Sequence, residues 1–302
     1  MAILVDENTS VLVQGITGRE AATFIRGMID YGTRVVAGVT PGKGGQEVCG
    51  VPVFNTVRKA ARATNANTAV VSVPPAYAKD AVLESIDAGI KLVNVLTERV
   101  PRGDVVEMIH FAQRRGARIV GPNSLGIVSP GKGKVGPIGG PVDETNLAYM
   151  PGPVAVLSRS GGMCTETCSL LTVNGIGQST AINIGGDPIL GSSFVDLLPL
   201  LEQDDQTTVI VLFCEPGTVQ EETMARFVRE TRYSKPIVAF VTGGFVDAMP
   251  GTRFGHAAVI VHGDVGTVKG KKQAMSEAGI IVVDFHSEVV DAVQTLVDQA
   301  GA

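Results

Sequence analysis

The sequence predicts an α/β chain built from two doubly wound domains. Short runs rich in Val and Ile, such as Val11-Leu12-Val13 and Thr68-Ala69-Val70-Val71-Ser72-Val73, alternate with segments of helical period. The runs are continuous rather than apolar at every second residue, which marks parallel strands covered on both faces. A Pro- and Gly-rich stretch interrupts the rhythm between Leu125 and Pro153, after which it resumes. At 302 residues the chain has length for two cores.

Taken in order, Ser10–Gln14 reads as a strand, Arg19–Tyr31 as a helix and Arg34–Val39 as a second strand. Thr68–Val73 and Leu92–Leu96 are further apolar strands, with a helix over Ala76–Ala88 between them. A helix over Asp104–Arg115 and a strand over Ala117–Val120 close the first half. In the second half, strands are expected at Val154–Ser158, Ser179–Ile184, Thr208–Phe213, Pro236–Val241 and Ile280–Val283. Helices are expected at Gly162–Asn174, Ser193–Glu202, Val219–Thr231, Val268–Ala278 and Ser287–Ala300. Strand–helix alternation of this kind gives parallel sheets with helices on both sides.

Composition narrows the function. No apolar run approaches the roughly 18 residues of a membrane span. Asp6 and Glu7 near the start, without a basic segment, do not read as a secretory signal or a transit peptide. The expected location is the cytoplasm, or the mitochondrial matrix in a eukaryote. Cys49, Cys164, Cys168 and Cys214 read as free thiols; Cys164 and Cys168 lack the companion ligands of a zinc site, and no metal site is expected. Residues 1–135 carry 16 Lys and Arg against 11 Asp and Glu, whereas residues 136–302 carry 9 against 19. A basic N-terminal half suits an anionic ligand. No Lys/Arg-rich run suggests nucleic acid.

Chemistry concentrates at the loops after strands. Gly15-Ile16-Thr17-Gly18 follows the first strand and can offer backbone N–H groups to phosphate, although it is not a G-x-G-x-x-G fingerprint. Thr40-Pro41-Gly42-Lys43-Gly44-Gly45 follows the second strand, and Arg19 and Lys43 add cations. Ser72-Val73-Pro74-Pro75, Leu96-Thr97-Glu98 and Gly121-Pro122-Asn123-Ser124 close further strands of the same sheet. Such a row fits a long, partly apolar ligand with a phosphate head. In the second half, Ser158-Arg159-Ser160-Gly161-Gly162 leaves a helix N-terminus open to an anion. It is not G-x-S-x-G, so Ser160 is no hydrolase nucleophile. Gly185-Gly186-Asp187-Pro188 follows the next strand.

Of the histidines, His110 and His286 fall at helical positions and read as structural, and His262 is open to either reading. His256 differs, because Gly255, Ala257 and Ala258 leave its ring accessible in a loop. An imidazole whose tautomer is fixed by a carboxylate is a nucleophile towards phosphorus. Glu215, just past the strand Thr208–Phe213, is the candidate partner.

These segments, in this order, resemble the α subunits of succinyl-CoA synthetases across nearly the whole chain. The resemblance is carried by Val13-Gln14-Gly15-Ile16-Thr17-Gly18, Gly38-Val39-Thr40-Pro41-Gly42-Lys43-Gly44-Gly45, Val51-Pro52-Val53-Phe54-Asn55-Thr56-Val57, Ser158-Arg159-Ser160-Gly161, Ile184-Gly185-Gly186-Asp187-Pro188 and Gly255-His256-Ala257. It implies a Rossmann-like CoA-binding domain over residues 1–125, a connector over 126–150 and a flavodoxin-like ligase domain over 151–302 that carries a phosphohistidine. It implies that ATP or GTP with Mg²⁺, bound by an ATP-grasp-type β subunit, phosphorylates His256, and that the phosphoryl group activates a small carboxylic acid before CoA takes the acyl group. By position it assigns Thr17, Gly18, Arg19, Glu20, Lys43, Leu96, Thr97 and Glu98 to CoA, and Ser158, Ser160, Gly161, Gly162 and Thr165 to phosphate and acid. Glu215 would orient the ring.

Three segments depart from that family. Gly162-Met163-Cys164-Thr165-Glu166 stands where Thr-Leu-Thr-Tyr-Glu is usual, so Thr165 replaces a Tyr that helps hold succinate; the Gly-Gly-Met form is similar to ATP-citrate lyase. Cys214-Glu215-Pro216-Gly217-Thr218 stands where Gly-Glu-Ile-Gly-Gly is usual, and Arg19-Glu20-Ala21-Ala22 replaces a more Gly-rich turn. The acid therefore stays open between succinate, citrate, malate, itaconate and a sulfonated acid such as sulfoacetate. Two other classes compete: a nicotinamide oxidoreductase, which leaves the second domain unexplained, and a CoA- or nucleotide-sensing regulator, which needs neither His256 nor Glu215.

Overall fold

Buried Val and Ile runs set the architecture, because each apolar side chain removed from water contributes about 1.5–3 kcal/mol. The computed structural model describes residues 3–249, 251–252, 254–261 and 265–301. By internal contacts the chain divides into two units, Leu4–Asn146 with Ile189–Ser192, and Leu147–Pro188 with Ser193–Ala302.

The first unit contains β1 (Ser10–Gln14), α1 (Ala21–Asp30), β2 (Arg34–Val39), β3 (Glu47–Val48), β4 (Val51–Phe54), α2 (Val57–Thr64), β5 (Thr68–Val71), α3 (Pro75–Asp87), β6 (Leu92–Val95), α4 (Arg102–Arg115), β7 (Arg118–Val120), β8 (Gly126–Ser129) and β9 (Gly133–Val135), and α5 (Val142–Ala148) ends it. Its sheet runs β3-β4-β2-β1-β5-β6-β7, all parallel except the β3–β4 pair. Leaving out β3, this is the dinucleotide-fold order, in which the chain reverses direction across the sheet between β1 and β5. Residues of β1, β5 and β6 are fully covered, with Leu12, Val71 and Val93 in one core with Val82 and Met108 of the helices.

The second unit contains β10 (Pro151–Ser158), α6 (Gly161–Val173), β11 (Gln178–Asn183), α7 (Phe194–Glu202), β12 (Val209–Cys214), α8 (Gln220–Thr231), β13 (Ile237–Val241), α9 (Val268–Glu277), β14 (Ile281–Val283) and α10 (Val289–Gly301). Its parallel strands run β14-β13-β12-β10-β11. This is the flavodoxin order, with the reversal between β10 and β12. In both units ligands are expected beyond the carboxyl ends of the strands at the reversal.

Apart from shifts of a residue or two at element ends, such as α4 starting at Arg102 and α10 at Val289, three differences from the sequence expectations bear on the sites. First, α1 starts at Ala21 rather than Arg19, because Thr17–Glu20 makes successive tight turns, with Gly18 N–H on the Gly15 carbonyl (2.9 Å) and Ala21 N–H on that of Gly18 (3.1 Å). Second, residues 40–67 hold a hairpin and a helix. Cys49 and Gly50 both take left-handed backbone (φ 53° and 79°), which suits a two-residue hairpin turn between β3 and β4. Helix α2 buries only Val57 and Ala60, too little for an apolar signal, and is started by Thr56, whose side chain accepts from the Lys59 amide. Third, residues 126–150, expected as a connector, are folded. β8 and β9 pair as an antiparallel hairpin, and Lys134 in β9 is fully buried, donating to the Gly140 carbonyl and to Thr145 Oγ1 (3.0 Å). Burial pushes the Lys134 ammonium down to about 8. Turn glycines and prolines made this stretch look like a linker while Ile127, Val128 and Val135 were buried in it.

Candidate active site

The carboxyl ends of β11, β10 and β12 lie side by side and each leads into a tight turn. Buried polar groups tie these turns together. Asn183 Nδ2 donates to the carbonyls of Ser158 and Arg159, both at 3.1 Å, and Ile184 N–H donates to Ser158 O at 2.9 Å. Arg159 N–H reaches the Phe213 carbonyl at 3.2 Å. Ser158 Oγ donates to the Ser160 carbonyl (2.6 Å) and accepts from the Ser160 amide (3.1 Å), so this hydroxyl shapes its own turn and is fully buried. Ser160 caps α6 by accepting from the Met163 amide at 3.4 Å. The first-turn amides at Gly161 and Gly162 thus stand at the positive end of the helix, and the space beside Gly162 Cα is open.

His256 lies against this edge. Its Nδ1 and Glu215 Oε2 are 2.8 Å apart, with 29% of the His side chain and 8% of the Glu side chain exposed. A Cβ on Gly186 would fall 2.5 Å from the imidazole Cγ and 2.7 Å from Nδ1, so only glycine lets the ring lie on that backbone. The Ala258 amide donates to the Gly186 carbonyl at 3.4 Å, fixing the loop beyond the histidine. The hydrogen bond that Glu215 accepts raises the imidazole above its ordinary value of 6.5; burial and Arg159 oppose this, and Asp187 adds to it. A cavity of about 280 Å³ opens beside the pair, lined by Pro216, Thr242, Phe245 and Phe254 among others. With the carboxylate taking Nδ1–H, the lone pair of Nε2 is the nucleophile the arrangement offers.

Thr165, in the second turn of α6, is half-buried, and its hydroxyl lies 2.9 Å from that of Tyr149. His286 is 2.9 Å from Thr167 Oγ1 through Nε2 and packs near the rings of Phe213 and Phe240; burial lowers its pKa. His110 is exposed on α4, and His262 lies outside the described residues. The four cysteines are free thiols. Among the described residues no cluster of His, Cys, Asp and Glu could hold a metal ion, and no helix is long and apolar enough to cross a membrane.

In the first unit, two cavities share Ser72, Val73 and Pro74. One, of about 520 Å³, is lined by Gly15, Thr17, Gly18, Thr40 and Tyr77 and sits at the reversal between β1 and β5. The other, of about 730 Å³, is lined by Glu20, Leu96, Thr97, Glu98 and Leu125. Gly15 (φ 78°) presses onto the Ser72 carbonyl, where any Cβ would collide. Thr17 Oγ1 lies 3.2 Å from Thr40 Oγ1, joining the first two turns, and Thr97 Oγ1 donates to the Val73 carbonyl at 2.7 Å. Arg19 and Lys43 are exposed and line neither cavity. Tyr77, a residue 64% exposed that lines the smaller cavity, is not evident from sequence. The only hint there was an aromatic residue just after Pro74-Pro75.

The sheet orders and the loop clusters at their reversals define a chain of two nucleotide-fold units, each with a candidate ligand site at a strand-end edge. Residues 6–99 match the CoA binding domain family and residues 157–281 match the CoA-ligase family. The chain is 46% identical over 293 residues to succinate–CoA ligase (ADP-forming) subunit alpha 2 of Archaeoglobus fulgidus, covering 97% of this chain and 99% of that one. It is 42% identical over 300 residues to the corresponding alpha subunit of Staphylococcus epidermidis, covering 99% and 95%. The chain belongs to the family of succinate–CoA ligase α subunits. Among solved structures, ATP citrate lyase from Methanothrix soehngenii in complex with citrate and coenzyme A superposes with a TM-score of 0.91 at 26% identity; the match covers 99% of this chain and 51% of that longer one.

Proposed function

We propose that the chain is the α subunit of an ADP-forming succinate–CoA ligase that carries the phosphoryl group on His256. The observation that carries this reading is the 2.8 Å pair of Glu215 with Nδ1 of a ring resting on Gly186. Such a ring has a committed Nδ1 and a free Nε2. An ATP-grasp-type β subunit supplies the nucleotide and Mg²⁺. Nε2 bonds to the terminal phosphorus as the bond to the nucleoside diphosphate breaks. The Nδ1 proton stays on the ring, and the Glu215 carboxylate balances the charge that forms. The amides of Gly161 and Gly162 and the Ser160 hydroxyl stabilise phosphoryl oxygens without moving, while the buried Ser158 hydroxyl holds the shape of their turn. A carboxylate oxygen of the acid then takes the phosphoryl group, the N–P bond breaks and neutral His256 is restored. CoA, when bound, supplies the thiol that takes the acyl group with release of phosphate.

The residues of the first unit fit CoA. The adjoining cavities give an elongated trough, Gly15 and Gly18 bring backbone close to it, and the exposed Arg19 and Lys43, outside its walls, are long enough cations to turn towards phosphates. Thr17, Glu20, Leu96, Thr97 and Glu98 line it. A cytoplasmic location goes with this reading.

Succinate is favoured by full-length relatives named for it. Citrate is the second reading, favoured by the Gly162-Met163 segment, by Thr165 and by the lyase superposition. The test is thioester formation by the co-expressed α and β chains with succinate, malate, citrate, itaconate and sulfoacetate. Succinate is expected to give the highest kcat/KM. A dominant rate with citrate transfers the function to the second reading, and no thioester from any acid rejects ligase activity. Thr165→Val, which keeps shape but leaves the Tyr149 hydroxyl without its 2.9 Å neighbour, is expected to change the ratio of kcat/KM between acids about tenfold while KM for CoA stays constant. An unchanged ratio removes Thr165 from the acid site.

A further inference from the structure

Between Glu215 and α8 the chain turns through Pro216-Gly217-Thr218-Val219, and Gly217 and Thr218 both take left-handed backbone, at φ 81° and 52°. Glycine adopts this conformation freely, whereas a β-branched residue is strained there. Strain of this kind persists only where surrounding contacts hold it. Here two buried cations do so. Arg159 Nη1 donates to Thr218 Oγ1 at 3.1 Å, and Lys271 Nζ donates to the Thr218 carbonyl at 3.2 Å.

Both cations are fully buried and tied into the site. Arg159 Nη2 reaches the Asp187 carbonyl at 3.3 Å, in the turn that carries Gly186. Lys271 pairs with Glu221 and, at 3.1 Å, with Glu222, both in the first turn of α8. Arg159 Nε has no hydrogen-bond partner among the described residues, and Nη1 comes no nearer than 3.9 Å to the Glu221 carboxylate, at Oε1. The Thr218 hydroxyl is therefore a principal acceptor for a guanidinium that water does not reach. The same turn also meets the histidine loop. Gly217 N–H donates to Gly266 O at 2.8 Å, and Gly217 Cα packs against the backbone of Ala258 and Ile260.

We propose that Thr218 is a positioning residue for His256. Clamped at its hydroxyl by Arg159 and at its carbonyl by Lys271, it fixes the turn that aims Glu215 at Nδ1. This rests on the phosphohistidine reading above. Glycine at 218 would satisfy the backbone better than threonine, so the hydroxyl is what the strained residue contributes.

The experiment uses the co-expressed α and β chains and measures the rate of phosphate transfer from labelled ATP to the His256 peptide. The variants are T218V (strain kept, hydroxyl lost), T218G (strain and hydroxyl both lost) and T218S (hydroxyl kept). T218V and T218G are expected to label about tenfold more slowly with unchanged KM for ATP and CoA, as for a displaced catalytic pair. T218S is expected to retain the rate, and T218G to melt no lower than T218V. A slow but stable T218G separates positioning from folding. A T218G rate equal to wild type, a T218S as slow as T218G, or slow variants with proportionally raised KM for ATP would overturn the clamp. Absence of label on His256 in the wild type overturns the phosphohistidine reading itself, and the clamp with it.

Discussion

His256→Ala is expected to abolish phosphate incorporation from labelled ATP and to lower thioester formation by at least about 10⁴-fold, as when a covalent nucleophile is removed. Nε2 is the only atom of this ring free to take the phosphoryl group, because Nδ1 is committed to Glu215 at 2.8 Å. Among the described residues, neither His286, close to Thr167, nor His110, exposed on α4, has a carboxylate hydrogen-bonded to its ring that would replace this arrangement. CoA affinity is expected to stay unchanged, since the cavities that fit CoA are lined by residues of the first unit. The ring is 29% exposed and rests on a glycine, so its removal leaves no large enclosed void, and the cost to stability comes from the Glu215 carboxylate, 8% exposed, which loses its partner. The check is label on the purified α chain, with CoA binding measured on the same preparation. Undiminished label in the variant would assign the phosphoryl group to another residue.

The sequence made His256 and Glu215 legible for different reasons. His256 stands out because Gly255, Ala257 and Ala258 leave its ring uncovered, and Glu215 because it directly follows an apolar strand. A parallel sheet places residues just past its strands along one edge, so pairing the two needed only the fold class. The strands of both cores were legible because their Val and Ile runs are buried on both sides. Helix α2 and the β3–β4 hairpin were not, since α2 buries two small side chains and the hairpin turn uses Cys49 rather than Asn or Asp. Arg159, Thr218 and Lys271 were beyond reach for a different reason. Their contacts span 59 and 53 residues of sequence, and a positive φ at a threonine leaves no trace in composition. A buried Arg and Lys look like surface charge until their acceptors are known. Arg19 and Lys43 show the converse: as cations beside glycine turns they read as ligand contacts, yet both are exposed and line neither cavity.

Glu215→Gln is expected to slow phosphorylation of His256 by about 10²–10⁴-fold and to move its pH dependence towards acid. The carboxylate can only accept, so it holds the proton on Nδ1 and leaves Nε2 as the nucleophile. A glutamine amide can also donate to Nδ1, which puts the proton on Nε2 and blocks attack. The direction of the pH effect follows from the same contact. In the wild type the Glu215 hydrogen bond raises the imidazole above 6.5, so the charged ring persists to higher pH. Attack needs the neutral ring, so the rate climbs as pH rises through this raised pKa and levels above it. The ion pair's contribution to stability runs the opposite way: it is fully present below about 6.5 and is lost as pH rises through the folded value. Glutamine removes the Glu215 contribution, the largest that raises the pKa; burial and Arg159, which lower it, remain, opposed only by the smaller effect of Asp187. The rising limb should therefore start at lower pH and reach a much lower plateau. Single-turnover labelling of the co-expressed chains across pH 5–9, a range of about two units either side of neutrality, reads both quantities at once. A limb at the wild-type position would mean that Glu215 does not govern the ring's ionisation. A shifted limb with a full plateau would mean that it governs ionisation but not the tautomer.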